Sequence, residues 1–405
     1  MRIAVFTDSF WPQLNGVTIS IWNTCTVLAD KGHEFLIIAP KDKTGTKNVP
    51  KHSNIQMEWL PAEPLPTYSD YLIAYHFPKK IREKVIQFQP EIIHVHTPFF
   101  VSKKGIEMAK KLNIPVVGTF HTLLSEFLDY LPIKQIKNNP IAQMMTWKYT
   151  QHFYSKCDTI TTPTKVLAKE LEEHGFKNVQ TLSNGIDYEL FSKKRKEKRK
   201  EENKKTKKGK KEKQKQKNKS IKLVYFGRIS FEKRLDVAID ALKIVLEKNP
   251  NTELYLIGNG PAEKKLKEKA KELKISQKII FTGPLKGKKL AEEVKRKDIL
   301  VAPSPMETQG LYVLEAMAAG LGIVGANQRA IPIAIGKNER GLLFESGNAG
   351  DCAKKIVELI QNPKKRETMG KKAKQFARQY DRKKIAREFI KLYKKAIREK
   401  KALNH

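Results

Sequence analysis

The sequence predicts an α/β protein made of two doubly wound, parallel-sheet domains, and three observations carry that expectation. The 405 residues exceed what one ordinary hydrophobic core organises. In both halves short β-branched runs alternate with stretches of helical period, the pattern of a parallel sheet covered on both faces. Between the halves lies 193–219, with 17 basic and 4 acidic residues and no apolar ones. Such a segment contributes nothing to a core and is expected to be a disordered linker or surface insertion.

Strand candidates in the first half are 2–7, 33–39, 91–96, 115–119, 159–162 and 179–182. In the second half they are 222–226, 253–257, 278–282, 299–302 and 322–325. The apolar run at 299–302 leads through a polar loop into a helix opening near Gly310, with Thr308 as its expected N-cap. The stretch 71–88 combines Tyr71, Leu72, Ile73, Tyr75, Phe77, Val85 and Phe88 with Lys79, Lys80, Arg82 and Lys84. It reads as a helical stretch suited to an interface with anionic lipid, or else as a packed helix with a solvated basic face. A last helix over 382–401 gathers Ile385, Phe389, Ile390, Leu392 and Tyr393 on one face and is expected to cross back onto the first domain.

Cys25, Cys157 and Cys352 lie far apart, with neither disulfide nor metal spacing, which suggests a reducing, cytoplasmic setting. No leader is expected at the start, where 1–7 already reads as a buried strand, and no apolar stretch is fit to span a bilayer. The formal net charge is +36, and the surplus remains large outside 193–219. A polyanionic neighbour is therefore expected, either anionic lipid or nucleic acid. Specific nucleic-acid binding is disfavoured because the basic stretches lack interleaved aromatics to stack bases.

Several residues stand where a doubly wound sheet binds ligands, at the C-terminal ends of its strands. The loop 7–16 ends in Asn15-Gly16, and Gly16 would let backbone approach a phosphate closely. Gly227-Arg228 closes a strand and Lys233 follows, a planar fork and a point charge both suited to a diphosphate. A helix start at Gly310-Leu311 offers unpaired N–H groups and a positive dipole end. Glu307 and Glu315 bracket it in apolar surroundings that hardly tolerate charge without a partner. Acids beside an anion-binding turn point to a ligand carrying both hydroxyls and phosphate, such as a nucleotide sugar. His121 follows another strand end and can serve the site or sit satisfied in the core. His94 and His96 alternate on the preceding strand without a third ligand, so they read as structural rather than metallic.

Together these pieces resemble the retaining glycosyltransferases of family four. The matching residues are Thr7-Asp8 with Pro12-Gln13-Leu14-Asn15-Gly16-Val17, Gly118-Thr119-Phe120-His121-Thr122, Asn184-Gly185-Ile186-Asp187, Gly227-Arg228 with Lys233, and Glu307-Thr308-Gln309-Gly310 with Leu314-Glu315-Ala316. They run in the family's order over nearly the whole chain. The resemblance implies the GT-B fold, two Rossmann-like domains facing a central cleft. Its domains would be an acceptor-side domain at 1–192, the linker at 193–219, a nucleotide-sugar-binding domain at 220–380 and the closing helix at 381–405.

Carried over residue by residue, the resemblance puts Asn15, Gly16, Gly310 and Leu311 at the donor diphosphate, with Arg228 and Lys233 neutralising it. Glu307 would meet hydroxyls of the donor sugar, Glu315 the ribose diol, and His121 the transferred sugar. The apolar run 331–333 departs from the small residue and acid that the family often has there. No metal and no cofactor are expected beyond the nucleotide sugar as donor substrate. His121-Thr122 with Glu126-Phe127-Leu128-Asp129-Tyr130, and the Glu307-Thr308-Gln309-Gly310 variant, look most like diacylglycerol glucosyltransferases. That likeness implies UDP-glucose as donor, a membrane glycerolipid as acceptor, an anionic membrane surface as partner, and a peripheral place on the inner face of the cell membrane. A soluble sugar or polysaccharide acceptor on the same fold is the alternative, and a basic nucleic-acid-binding protein a more distant one.

Overall fold

The computed structural model describes residues 1–11, 13, 15–41, 49–65, 68–121, 124, 139–193 and 220–403. The chain divides into two compact units, Met1–Gly185 with Arg382–His405, and Ile186–Asp381. The expected segments 122–123, 125–138 and 194–219, with Pro12 and Leu14, lie outside the described residues.

In the first unit the elements run β1 (Arg2–Phe6), α1 (Gly16–Ala29), β2 (Glu34–Lys41), β3 (Ile55–Leu65), β4 (Tyr68–Ala74), α2 (Lys79–Phe88), β5 (Ile92–Val95), α3 (Phe100–Leu112), β6 (Val116–Thr119), α4 (Pro140–Tyr154), β7 (Thr159–Thr162), α5 (Lys165–Glu173) and β8 (Val179–Thr181). Among the described residues the strands form one sheet in the order β4-β3-β2-β1-β5-β6-β7-β8. All neighbours pair in parallel except β3 and β4, which are antiparallel. The strand order reverses between β1 and β5, which makes that point the ligand-binding crevice by the general rule for open α/β sheets. Buried Ala4, Phe6, Ile93 and Val95 pack towards α2, α3 and the end of α4 on one face. Ile3, Val5, Phe35 and Ile37 pack on the other with α1.

The second unit runs α6 (Tyr188–Ser192), β9 (Ile221–Phe226), α7 (Leu235–Lys248), β10 (Thr252–Ile257), α8 (Glu263–Glu272), β11 (Ile279–Gly283), α9 (Gly287–Val294), β12 (Ile299–Ala302), α10 (Leu311–Ala319), β13 (Gly322–Ala326), α11 (Ile331–Ile335), β14 (Leu342–Phe344), α12 (Ala349–Gln361) and α13 (Pro363–Ala377). Its described strands form a parallel sheet in the order β11-β10-β9-β12-β13-β14, with the reversal between β9 and β12. The last helix, α14 (Arg382–Leu403), belongs to the first unit. Its Ile385, Phe389, Leu392 and Tyr393 join Val17, Ile21, Cys25 and Leu28 of α1 in one buried cluster, so it does return to the first sheet.

Two differences from the sequence reading matter. Residues 71–88 are not one helical stretch: Tyr68–Ala74 is a strand and Lys79–Phe88 a separate helix. The alternation of Tyr71, Ile73 and Tyr75 is period two, and the helical reading mistook it for a stripe. Ile81 and Val85 of α2 are turned into the core, so this helix presents a basic face to solvent and keeps its apolar face for the domain. In addition, Thr308 does not cap α10; Gly310 is the N-cap, with φ 74°. A Cβ there would find ordinary contact distances, 3.4 Å to Val313 Cγ2. It is the left-handed backbone, rather than crowding, that asks for glycine.

Candidate active site

In the second unit the candidate residues come from the loops that follow β9 and β12, the two strands flanking the reversal of strand order. After β9 the chain passes through Gly227 at φ 135°. Close by, a Cβ on Gly258 would lie 1.8 Å from the Gly227 carbonyl oxygen. The loops after β9 and β10 are thus in backbone contact, which only glycine permits. Arg228 follows, half-buried, and its carbonyl accepts from the Tyr225 hydroxyl at 2.9 Å. Burial draws its pKa down, opposed by the nearby Glu232 carboxylate. Lys233 ends a 3-10 turn over Phe231–Lys233.

After β12 the loop carries Glu307, only 7% exposed. Its Oε1 accepts from Lys233 Nζ at 2.8 Å, an ion pair with both side chains largely out of water. An acid this buried is tolerable because the lysine compensates it. The loop is fixed further by the amide of Ala330, which donates to the Glu307 carbonyl at 3.3 Å, and by the amide of Met306, which donates to Ser304 Oγ at 3.3 Å. Beyond it α10 starts at Leu311, and the first amides of a helix have no partner within it.

Glu315 stands one turn into α10 and is half-buried. Burial, reinforced by the Asp187 carboxylate, raises its pKa to about 8. Asp187 is itself committed to capping α6, accepting from the Leu190 amide at 3.1 Å. The second unit therefore gathers a cation–carboxylate pair, a further guanidinium, a helix start and a carboxyl held largely protonated at neutral pH. That set suits a ligand with anionic groups and hydroxyls side by side.

In the first unit Asn15 caps α1, its Oδ1 accepting from the Thr18 amide at 3.0 Å while its Nδ2 donates to Ser9 Oγ at 2.7 Å. Its side chain is thereby spent on positioning, and Gly16 opens the helix. His121 follows β6 and is buried, and its Nε2 shares a hydrogen bond with His96 Nδ1 at 2.9 Å. Burial lowers its pKa to about 3, so the ring is neutral at physiological pH. His94 joins Tyr393 of α14 at 2.7 Å and Thr119 at 2.6 Å. His94 and His96 therefore hold hydrogen-bond partners. Among the described residues no three His, Cys, Asp or Glu side chains gather in a group that could hold a metal ion.

Sequence reasoning passed over the part played by Asp8. Its buried carboxylate accepts from the amides of Val101 at 2.7 Å and Ser102 at 3.2 Å and from the Thr97 hydroxyl at 3.0 Å, fixing the start of α3 from the end of β1. Burial nevertheless raises its pKa to about 6. Nothing local could have revealed a contact across more than ninety residues. It also missed the closeness of Asp187 to Glu315, although it had both residues among the family motifs.

Two Rossmann-like sheets of this order make up the GT-B fold, and the matching family models add the class, a glycosyltransferase. The chain belongs to glycosyltransferase family four, whose members are retaining enzymes that use nucleotide-sugar donors. The family model described as "Glycosyltransferase Family 4" matches residues 14–190, and "Glycosyl transferases group 1" matches 205–376. Among curated relatives, alpha-monoglucosyldiacylglycerol synthase of Streptococcus pneumoniae is 28% identical over 90% of this chain and 79% of its own length. The Acholeplasma laidlawii protein of the same name is 26% identical over 97% and 96%. Sulfoquinovosyl transferase SQD2 of Arabidopsis thaliana is 27% identical over 94% and 71%. Among solved structures, Anabaena HepE in complex with UDP and glucose superposes with TM-score 0.73 at 16% identity, over 98% of this chain and all of the other, which bears on the fold.

Proposed function

We propose that this glycosyltransferase moves glucose from UDP-glucose to a hydroxyl of a membrane glycerolipid, with retention at the anomeric carbon. The observation that carries the donor half is the cluster around the start of α10: Gly310 at positive φ, the Lys233–Glu307 pair and the raised carboxyl of Glu315. Cleavage between the anomeric carbon and the diphosphate oxygen puts negative charge on the leaving group. Arg228, Lys233 and the amides at Gly310 and Leu311 supply fixed positive potential for it. Glu307 takes hydroxyls of the donor sugar and Glu315 the ribose diol. Asn15 and Gly16 approach the diphosphate, and the neutral imidazole of His121 stands beside the sugar.

The lipid acceptor is supported by the likeness to the Streptococcus and Acholeplasma relatives, which are alpha-monoglucosyldiacylglycerol synthases. UDP is supported by the ligand of the Anabaena neighbour. A formal charge of +36 favours residence on an anionic surface. No helix among the described residues is long and apolar enough to cross a membrane. The reading is of a peripheral enzyme on the inner face of the cell membrane, with the acceptor side in the unit Met1–Gly185 with its returning helix, and the donor side in the unit Ile186–Asp381.

Purified protein incubated with UDP-glucose, UDP-galactose and GDP-mannose, with and without diacylglycerol, tests this directly. A glucolipid with an α-anomeric proton by NMR is expected from UDP-glucose alone. Transfer to a soluble sugar with none to lipid would refute the acceptor, and transfer from GDP-mannose in preference would refute the donor.

A further inference from the structure

Helix α4 packs into the first unit by one side only. Trp147, Thr150, Phe153 and Tyr154 face inward, with Trp147 stacked on His174 at 3.7 Å between ring centres. The opposite stripe is apolar and open to solvent: Ile141 is 63% exposed, Met144 47%, Met145 63% and Tyr149 48%. These residues recur at i, i+3, i+4 and i+8, the spacing of a single helix face, and the next positions on that face are the exposed Lys148 and His152. The helix Pro140–Tyr154 contains no acidic residue at all. A contiguous apolar face of this kind on a surface helix marks a docking site.

Its position in the fold says where it would dock. The Tyr149 hydroxyl donates to the Pro98 carbonyl at 2.6 Å, in the loop after β5. That loop also meets the β3–β4 hairpin, where the rings of Tyr71 and Phe99 lie 5.7 Å apart. The exposed turns of α4 thus sit at the C-terminal edge of the sheet, the edge from which His121 follows β6. Helix α2 packs on the same sheet face and turns Lys79, Lys80 and Arg82 to solvent.

We infer that the Ile141–Met144–Met145–Tyr149 face of α4 is the surface by which the enzyme enters an anionic lipid bilayer. The inference rests on the lipid-acceptor reading and adds to it the place of contact. Methionines adapt to a fluid apolar phase, tyrosine favours its boundary, and the exposed Lys148 on the same face meets the headgroups. A protein partner would be expected to bring acids against this basic surround, whereas a bilayer rich in phosphatidylglycerol supplies the negative charge without them.

The test is flotation of the full chain with vesicles of phosphatidylcholine, alone or mixed with phosphatidylglycerol. The variant Met144→Glu/Met145→Glu is compared with Ile244→Glu, an exposed apolar site on α7. The double variant should lose about tenfold in partitioning to the anionic vesicles, and the control should match wild type. It should keep wild-type transfer to a short-chain, detergent-dispersed diacylglycerol. A double variant that floats like wild type overturns the inference, as does one that changes oligomeric state in light scattering with no change in flotation. Failure of the wild type to glucosylate lipid in any form would instead sink the acceptor reading, and the flotation comparison would still judge the face.

Discussion

Glu315 provides the sharpest test of the donor site, because its protonation state must change if it takes the ribose diol. With a pKa of about 8, only about a tenth of the carboxyls are ionised at pH 7. Two ribose hydroxyls both donate well to a carboxylate and poorly to a neutral acid, so donor binding should expel a proton. The affinity for UDP-glucose, whose diphosphate does not titrate near neutrality, should then rise about tenfold from pH 6 to pH 7 and level off near pH 9. At pH 7 about 0.9 proton should be released per donor bound, measurable by titration calorimetry in buffers of different ionisation enthalpy. Glu315→Gln should bind more weakly at pH 9 and show neither slope nor release. The same shift fixes a stability effect. An acid whose folded pKa is raised favours the folded state while protonated, so the wild type loses stability as pH climbs from about 4.5 to about 8. The glutamine variant should be spared that loss. A wild-type affinity flat between pH 6 and 9, or an equal slope in Glu315→Gln, would refute the assignment.

Lys233→Met should cost about 3–5 kcal/mol in urea unfolding, because it strands the buried Glu307 carboxylate. The double change Lys233→Met/Glu307→Gln should recover most of that stability while transfer stays lost. Asp8→Asn should destabilise the fold by about 2–3 kcal/mol, since an amide nitrogen would face donors that the carboxylate now accepts. The folded pKa of Asp8 is raised to about 6, so the wild type forfeits part of its advantage as pH rises, and the deficit of the variant should be larger at pH 4 than at pH 8. Gly310→Ala should fold with a loss of about 1–2 kcal/mol from the left-handed backbone, read from thermal unfolding, and should weaken UDP-glucose binding by calorimetry.

The fold was legible where burial on both faces leaves a continuous apolar run. Strands such as β1, β7 and β12 lie close to where the β-branched residues put them. Edge and hairpin strands were not legible. β3 contains Glu58, Glu63 and two prolines, and β4 has no boundary of its own in the sequence because its apolar residues continue into α2. β14 is only Leu342–Phe344, too short to register a pattern. At the candidate site the residue types and their strand-end positions were readable, as with Lys233 and Glu307. Their pairing was not, because a contact across seventy-four residues leaves no local trace. The cap on α10 was misplaced by two residues because threonine is a better capping side chain than glycine, whereas the backbone turn required a left-handed residue.

The return of α14 to the first sheet has a consequence for how the polypeptide is made. Tyr393, which anchors His94 by its hydroxyl, lies 299 residues further along. At about 5–20 residues per second the nascent first unit waits on the order of tens of seconds on the ribosome, with the apolar flank of α1 bare. A premature stop ahead of Arg382 would leave the same flank permanently uncovered and direct the product to proteolysis.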